Sequence, residues 1–283
     1  MGAFLTILSK VKPADYTIST WLLVGATLQT TLVALLPRNI ALLPPVLLLL
    51  YRLVRGYLIA TNRLPNPLKD GISLKRTTWQ IPESSDGKPA STPSSESLVV
   101  LVLAATWSHP NGSFSPGSKQ LGEYFANMWK DANENREKYG YLGNTPTMVT
   151  QDDGNRPDAQ GKTLFYLSYW KSLEGLHKFA HGKVHMKGQM WWDNGAMNKY
   201  SHIGMMHEVY EVPKGNWENV FHNFRPFGIS NAQYPVKVQE KTDEGVKEEV
   251  TWVNGLRDVK GREWKDMQSR MGRKAFFGAL KTT

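Results

Sequence analysis

From Thr17 to Leu36 the chain carries no charged residue, and this run constrains its fold more than any other feature. As a helix rising 1.5 Å per residue it reaches about 30 Å, the thickness of bilayer hydrocarbon. The run is too long for a signal peptide, and no small-residue cleavage site follows it. A second apolar run, Ile40 to Tyr51, begins after Pro37-Arg38-Asn39 and is interrupted by Pro44-Pro45. Ended at Tyr51 it reads as re-entrant or interfacial. Continued to Ala60 it spans, with Arg52 and Arg55 snorkelling. The pattern favours a transmembrane helical hairpin over residues 1–63, with spans at about 17–36 and 40–60; the alternative is a buried helical pair in a soluble protein. Lys10, Lys12, Arg52, Arg55, Arg63 and Lys69 flank the hairpin on one side, against Arg38 alone in the turn. The positive-inside rule then places the main domain in the cytosol, with an endoplasmic reticulum membrane as the expected location.

The formal charge of +9 divides into +4 for the first 60 residues and +5 for the rest. A surplus of that size does not point to nucleic acid, and no basic helix is interleaved with base-stacking aromatics. No cysteine occurs, which excludes disulfides, thiolate catalysis and Cys-based zinc sites. Asn111-Gly112-Ser113 is a glycosylation sequon that a lumenal domain would expose to modification and a cytosolic one would not.

Residues 64–97 read as a linker, basic and Pro-rich along the membrane surface to 81 and Ser/Pro/Gly-rich from Glu83 to Ser97, too polar to pack. The folded domain is expected to begin at Leu98 and run to about residue 230. Leu98 to Trp107 is a short apolar run rich in β-branched residues, and so a buried strand. Ser118 to Tyr139 has helical spacing, with Leu121, Phe125, Met128 and Trp129 on one face and Gly140 as the stop. Strands are expected over Tyr141–Gln151 and Thr163–Trp170, around a turn at Asp152–Gly161. A helix over Ser172–Trp192 with a break at Gly182 and a last strand over Ile203–Val212 complete the order β-α-β-β-α-β. That is the split arrangement of an α+β, ferredoxin-like domain. Two helices cover one face of such a sheet, and a second copy often covers the other, so a homodimer is expected. Residues 231–283 read as a mixed-charge extension whose basic end, Arg270, Arg273, Lys274 and Lys281, suggests a solvated tail or a membrane-surface contact.

Five of the seven histidines fall between 177 and 207, which makes that region the place to look for chemistry. No G-x-G-x-x-G follows a strand, and no P-loop lysine, G-x-S-x-G or H-E-x-x-H is present. Flavin and nicotinamide enzymes therefore lack a signature here, as do serine hydrolases and zinc proteases.

Strand Tyr169-Trp-Lys-Ser172 leads into Leu173-Glu-Gly-Leu-His-Lys-Phe-Ala180, then His185 and the Trp191-Trp192 pair. Gly204, His207-Glu-Val-Tyr210, Glu218, Asn223 and Gly228 follow. This series resembles the fungal branch of the antibiotic-biosynthesis-monooxygenase-like proteins, named for an enzyme of fumagillin biosynthesis. The resemblance runs over about residues 98–230, and related members also carry an amino-terminal membrane segment. It implies a dimeric ferredoxin-like α/β barrel and oxidation of a lipophilic polyketide or terpenoid intermediate of secondary metabolism. Related oxygenases and dehydratases bind haem through one histidine from this part of the fold. The cofactor is thus none or haem, with His185 as the candidate axial ligand.

His177, His181 and His185 would share a face of an unbroken helix, but the break at Gly182 and the lack of a nearby carboxylate argue against a metal. Otherwise His185, with His207 second, is a candidate general base or a packing residue. Neighbours on a strand alternate sides, so His207 should go with Met205 and Val209, and Glu208 with Met206 and Tyr210. Glu208 and Tyr210 are candidate catalytic residues or a buried structural pair. Trp170, Trp191, Trp192 and Met205, with Met206 and Phe165, would wall an apolar substrate chamber, and Asn223 lies in a segment that would cap it. Three functions stay open: a membrane-anchored monooxygenase-like oxidoreductase, a non-redox dehydratase, isomerase or cyclase on the same fold, and a non-catalytic dimeric membrane module.

Overall fold

The computed structural model describes residues 16, 18–88, 92–151, 161–242, 245–260 and 264–273. Lys10, Lys12, Asp15, Lys274, Lys281 and most of the expected turn at 152–161 lie outside the described residues. The chain divides into two compact units, Met1–Gly71 and Ile72–Thr283.

In the first unit, helices α1 (Ile18–Leu35) and α2 (Arg38–Ala60) are joined at Leu36-Pro37. Both are long and apolar enough to cross a membrane by length and composition. Pro44 and Pro45 do not interrupt α2, which runs through them to Ala60. A proline inside a helix removes the hydrogen bond to the carbonyl four residues before it, so the Ala41 carbonyl loses its donor at Pro45. The Gln29 side chain of α1 supplies one, Nε2 to oxygen at 3.0 Å. Ala41 is the one buried residue in the two helices, and Leu22, Leu23, Leu47 and Leu49 are more than half exposed.

The second unit opens with β1 (Arg76–Trp79) and continues through β2 (Leu98–Ser108), α3 (Ser118–Glu134) and α4 (Arg136–Tyr139). Next come β3 (Tyr141–Asn144), β4 (Met148–Gln151), β5 (Gly161–Trp170), α5 (Leu173–Ala180) and α6 (Lys183–Trp191). A π-turn (Trp192–Ala196), α7 (Met197–Lys199) and β6 (Ile203–Val212) complete the central domain. The sheet order is β3-β5-β2-β6, with β4 also on β5 and every pairing antiparallel. This is the expected β-α-β-β-α-β topology, with the second strand broken in two. Pro146 lacks a backbone donor, and Thr145 makes the link instead: its N–H donates to Leu167 O (2.8 Å) and its Oγ1 accepts from Leu167 N (3.0 Å).

The helix expected over Ser172–Trp192 is two helices. Ser172 caps the first, its Oγ accepting from Gly175 N at 3.1 Å. The break falls at His181-Gly182, where a Cβ at 182 would stand 2.9 Å from the Phe179 carbonyl oxygen. One core cluster, built on Val99, Met128, Tyr141, Trp170 and Phe179, fills the space between sheet and helices.

The expected linker at 64–97 is not one throughout. Its strand β1 pairs with β7 (Phe221–His222) and, across 177 to 181 residues of sequence, with β10 (Leu256–Asp258). Trp79 is fully buried among Leu98, Leu142, Trp217 and Tyr234, and its Nε1 donates to Ala232 O at 2.9 Å. The extension after 230 is likewise folded: β8 (Gln233–Thr242) and β9 (Gly245–Asn254) form a hairpin, and α8 (Met267–Arg270) follows. Arg270, buried, donates from Nε to Glu218 Oε2 at 2.6 Å.

Candidate functional site

A cavity of about 390 Å³ opens in the central domain, walled by β2, α3, α5, α6 and β6. Pairing between β2 and β6 sets its floor. Leu101 stands opposite Val209, Leu103 opposite His207 and Ala105 opposite Met205. The pleat sends Leu101, Leu103, Met205, His207 and Val209 toward the helices, and all five line the cavity. Met205 and Val209 are 36% and 39% exposed, so the cavity opens along this edge strand.

The helices supply the opposite wall. The apolar stripe of α3 brings Leu121, Tyr124, Phe125 and Met128; α5 brings Leu176, His177 and Phe179; α6 brings Val184, His185, Gly188, Gln189 and Trp191. At Gly188 α6 lies against α3, within contact distance of Tyr124. The Tyr124 and Trp191 rings meet at 5.1 Å, and Trp192 closes the end of the wall at the start of the π-turn.

His185 is half-buried against Phe179, with ring centroids 5.5 Å apart. Its Nδ1 is sealed from solvent and no hydrogen-bond partner reaches it. Burial holds this imidazole below its ordinary value. The Ala180 carbonyl opposes that shift without meeting hydrogen-bond geometry at Nδ1, while His207 and His181 add to it. The cavity therefore holds a neutral imidazole with an unused polar atom, and His207 lies on the strand side. Among the described residues, none that lines the cavity is Asp, Glu, Lys or Arg.

Of the residues singled out in the sequence, His177, His185, His207, Trp191, Trp192 and Met205 meet in this cavity, and Met206 also borders it. Trp170 does not. It faces the helices at the closed end of the sheet, where Tyr141 and Phe179 (each 4.9 Å) bury it fully and Nε1 donates to Ser168 Oγ at 2.9 Å. Phe165 is on the far face, opposite Ala104. Glu208 and Tyr210 also point away, opposite Val102 and Val100. They form a pair at 2.5 Å, Tyr210 OH donating to Glu208 Oε2, but the pair is exposed rather than buried. Asn223 is exposed in the loop after β7 with φ +48°, away from the cavity. His181 is held by its own helix turn, its Nδ1 lying 2.8 Å from the His177 backbone oxygen, whereas the His177 side chain borders the cavity. Among the described residues no group of three or more His, Asp or Glu is arranged to hold a metal ion. Sequence reasoning missed Tyr124, Gly188 and Gln189; the spacing of α3 pointed to a buried face without saying that part of it faces a void.

The fold and this cavity define a ferredoxin-like domain with an apolar chamber between sheet and helices. Residues 98–229 match the family described as monooxygenase af470-like. Over 268 residues the chain is 29% identical to monooxygenase af470 of Aspergillus fumigatus, an alignment covering 95% of this chain and 92% of the relative. Among solved structures it is similar to an aldoxime dehydratase in complex with butyraldoxime (TM-score 0.32, 10% identity), over 56% of this chain and 41% of that one. It is also similar to SnoaB, a cofactor-independent oxygenase from Streptomyces nogalater (TM-score 0.23, 8% identity), over 41% of this chain and 92% of that one. At those scores neither structure bears on the chemistry.

The donor set tests the haem expectation. His185 offers the imidazole an axial ligand requires, but among the described residues no lining arginine or lysine is placed to receive the two propionates. The residues present do not fit that group.

Proposed function

We propose that the chain is a membrane-anchored, homodimeric monooxygenase that oxidises a lipophilic polyketide or terpenoid intermediate of secondary metabolism. The domain would face the cytosol from the endoplasmic reticulum. One observation carries the reading: among the described residues the cavity lining is mostly apolar and without Asp, Glu, Lys or Arg, with a half-buried imidazole, His185, across from a second, His207. A hydrophobic molecule fits such a chamber, and a neutral imidazole can take a proton from a carbon activated by a neighbouring carbonyl or ring.

The substrate supplies the electrons. His185 takes a proton from the activated CH₂, the carbanion reduces dioxygen, and a peroxide forms at that carbon. Loss of water then gives the ketone, so that CH₂ and O₂ become C=O and H₂O. His207, which lines the strand side of the cavity, would hold the developing oxyanion or return the proton. The far sheet face, where Val102 and Leu167 are only half-buried, supports the dimer, and the two apolar helices support the anchor.

The test is metabolite profiling of a producing strain that carries either the native chain or His185→Phe. Loss of one oxidised product, with an intermediate two hydrogens richer and one oxygen poorer accumulating, is expected. An unchanged profile in a folded His185→Phe variant contradicts the reading.

A further inference from the structure

The open side of the cavity carries a surface of its own. Met205, Met206 and Val209 line the cavity on β6 and are exposed. On the helix side, the 3.6-residue period divides α6 in two. Val184, His185, Gly188 and Trp191 line the cavity, whereas Lys183, Lys187 and Met190, spaced i, i+4 and i+7, share an exposed outer face. After the π-turn, α7 adds exposed Met197 and Lys199. Met190 and Met197 are 56% and 50% exposed. A lone exposed apolar side chain is ordinary, but here five stand on the consecutive elements from α6 to β6, beside an apolar cavity.

The charge of α6 and α7 is wholly positive, and among the described residues Lys183, Lys187 and Lys199 have no ion-pair partner. The nearby acids are engaged or turned elsewhere. Asp193 accepts from Gln189 at 2.9 and 3.0 Å, Glu208 stands on the other sheet face with Tyr210, and Glu211 lies beyond the lining, opposite Val99. Flexible thioethers settle into a headgroup boundary without needing a fixed shape to meet them, and each lysine gains about fivefold beside an anionic leaflet.

We infer that the outer face of α6 and α7, with the β6 rim, docks on an anionic lipid surface, so that a lipophile passes from the bilayer into the cavity without crossing water. The inference rests on the membrane-anchored reading above and adds to it a lipid contact made by the second unit itself.

The chain has no cysteine, so single cysteines can carry a fluorophore. The full chain is reconstituted in phosphatidylcholine nanodiscs with or without phosphatidylserine, and quenching by lipid doxyl-labelled near the headgroup is read at Met190→Cys and Met197→Cys. Glu249→Cys, exposed in the β8–β9 hairpin, is the control. With phosphatidylserine present, the first two labels should be quenched at least about threefold more than the control. The combined change Lys183→Gln, Lys187→Gln and Lys199→Gln should remove most of that difference, as should about 0.5 M salt. A label at Leu23→Cys, read with lipid doxyl-labelled deep in the acyl chain, reports the anchor separately. Quenching there, with none above control at 190 and 197, overturns the docking and spares the anchor; no quenching at any of these positions contradicts both. Quenching at 190 and 197 that ignores phosphatidylserine and the lysines also overturns the inference, as does shielding that needs a second chain in the nanodisc rather than lipid.

Discussion

Gln29 donates to the carbonyl of Ala41 at 3.0 Å, across the two apolar helices and at the carbonyl that Pro45 deprives of its helical donor. With the helices in hydrocarbon, as proposed, that oxygen would have no water to turn to, and an unmet carbonyl would be costly. The pairing meets the carbonyl that Pro45 leaves without its helical donor.

Gln29→Leu should therefore weaken the hairpin by about 1 kcal/mol, the usual scale for a hydrogen bond between membrane helices. Pro45→Ala restores the missing N–H, and in that background Gln29→Leu should cost little. A double-mutant cycle on reversible unfolding in mixed micelles measures the coupling. Equal costs in both backgrounds contradict the assignment.

Arg270 and Glu218 should matter to stability far more than surface ion pairs do. Both are largely shielded, and Arg270 also donates from its guanidinium to Trp264 O (3.2 Å) and Lys265 O (3.4 Å). Removing one partner strands a buried charge, so Arg270→Ala should destabilise the second unit by about 3 kcal/mol. The thermal midpoint then falls by roughly 10 °C. Lys178→Ala, which breaks the exposed pair with Glu174, should move it by less than about 2 °C.

His185 gives a pH dependence of known sign. Burial lowers its value in the folded chain, so on acidification the unfolded chain takes up this proton first. The stabilisation is complete above the ordinary histidine value of about 6.5 and is lost as pH falls through the lowered one. A plot of unfolding free energy against pH should slope downward on the acid side, and His185→Phe should flatten that slope. Activity limited by His185 as base should persist below the ordinary histidine range. A native slope unchanged by the substitution contradicts the buried, neutral imidazole.

Asn111 reports the side of the membrane on which the domain lies. It is exposed in the loop after β2, so the sequon is open to modification. Cytosolic placement leaves it bare, and chain made in eukaryotic microsomes should not shift on glycosidase treatment. A shift lost in Asn111→Gln would reverse the orientation.

The central topology was legible because period and punctuation agree: an uninterrupted β-branched run for β2, a 3.6-residue stripe for α3, and alternation in β6 that separates His207 from Glu208. What was illegible depended on distant partners. Arg76–Trp79 is a four-residue strand in a basic, proline-bearing context, and its pairing with β10 is invisible to any local window. Trp170 and Trp191 look alike in sequence, yet Tyr141 and Phe179 close over the first while the second borders the void. The π-turn after Trp191 depends on Gly195 at φ +121°, a conformation that glycine permits but does not announce.

The central claim, oxidation of a lipophile driven by a buried imidazole in an uncharged chamber, is tested most directly with ¹⁸O₂. Membranes containing the native chain, supplied with the intermediate that accumulates in the His185→Phe strain, should yield a product bearing one ¹⁸O atom under ¹⁸O₂. Membranes containing His185→Phe should yield none. Product formed at the same rate without oxygen, or carrying no label when analysed before carbonyl exchange with water, would contradict the account and assign the cavity to non-redox chemistry.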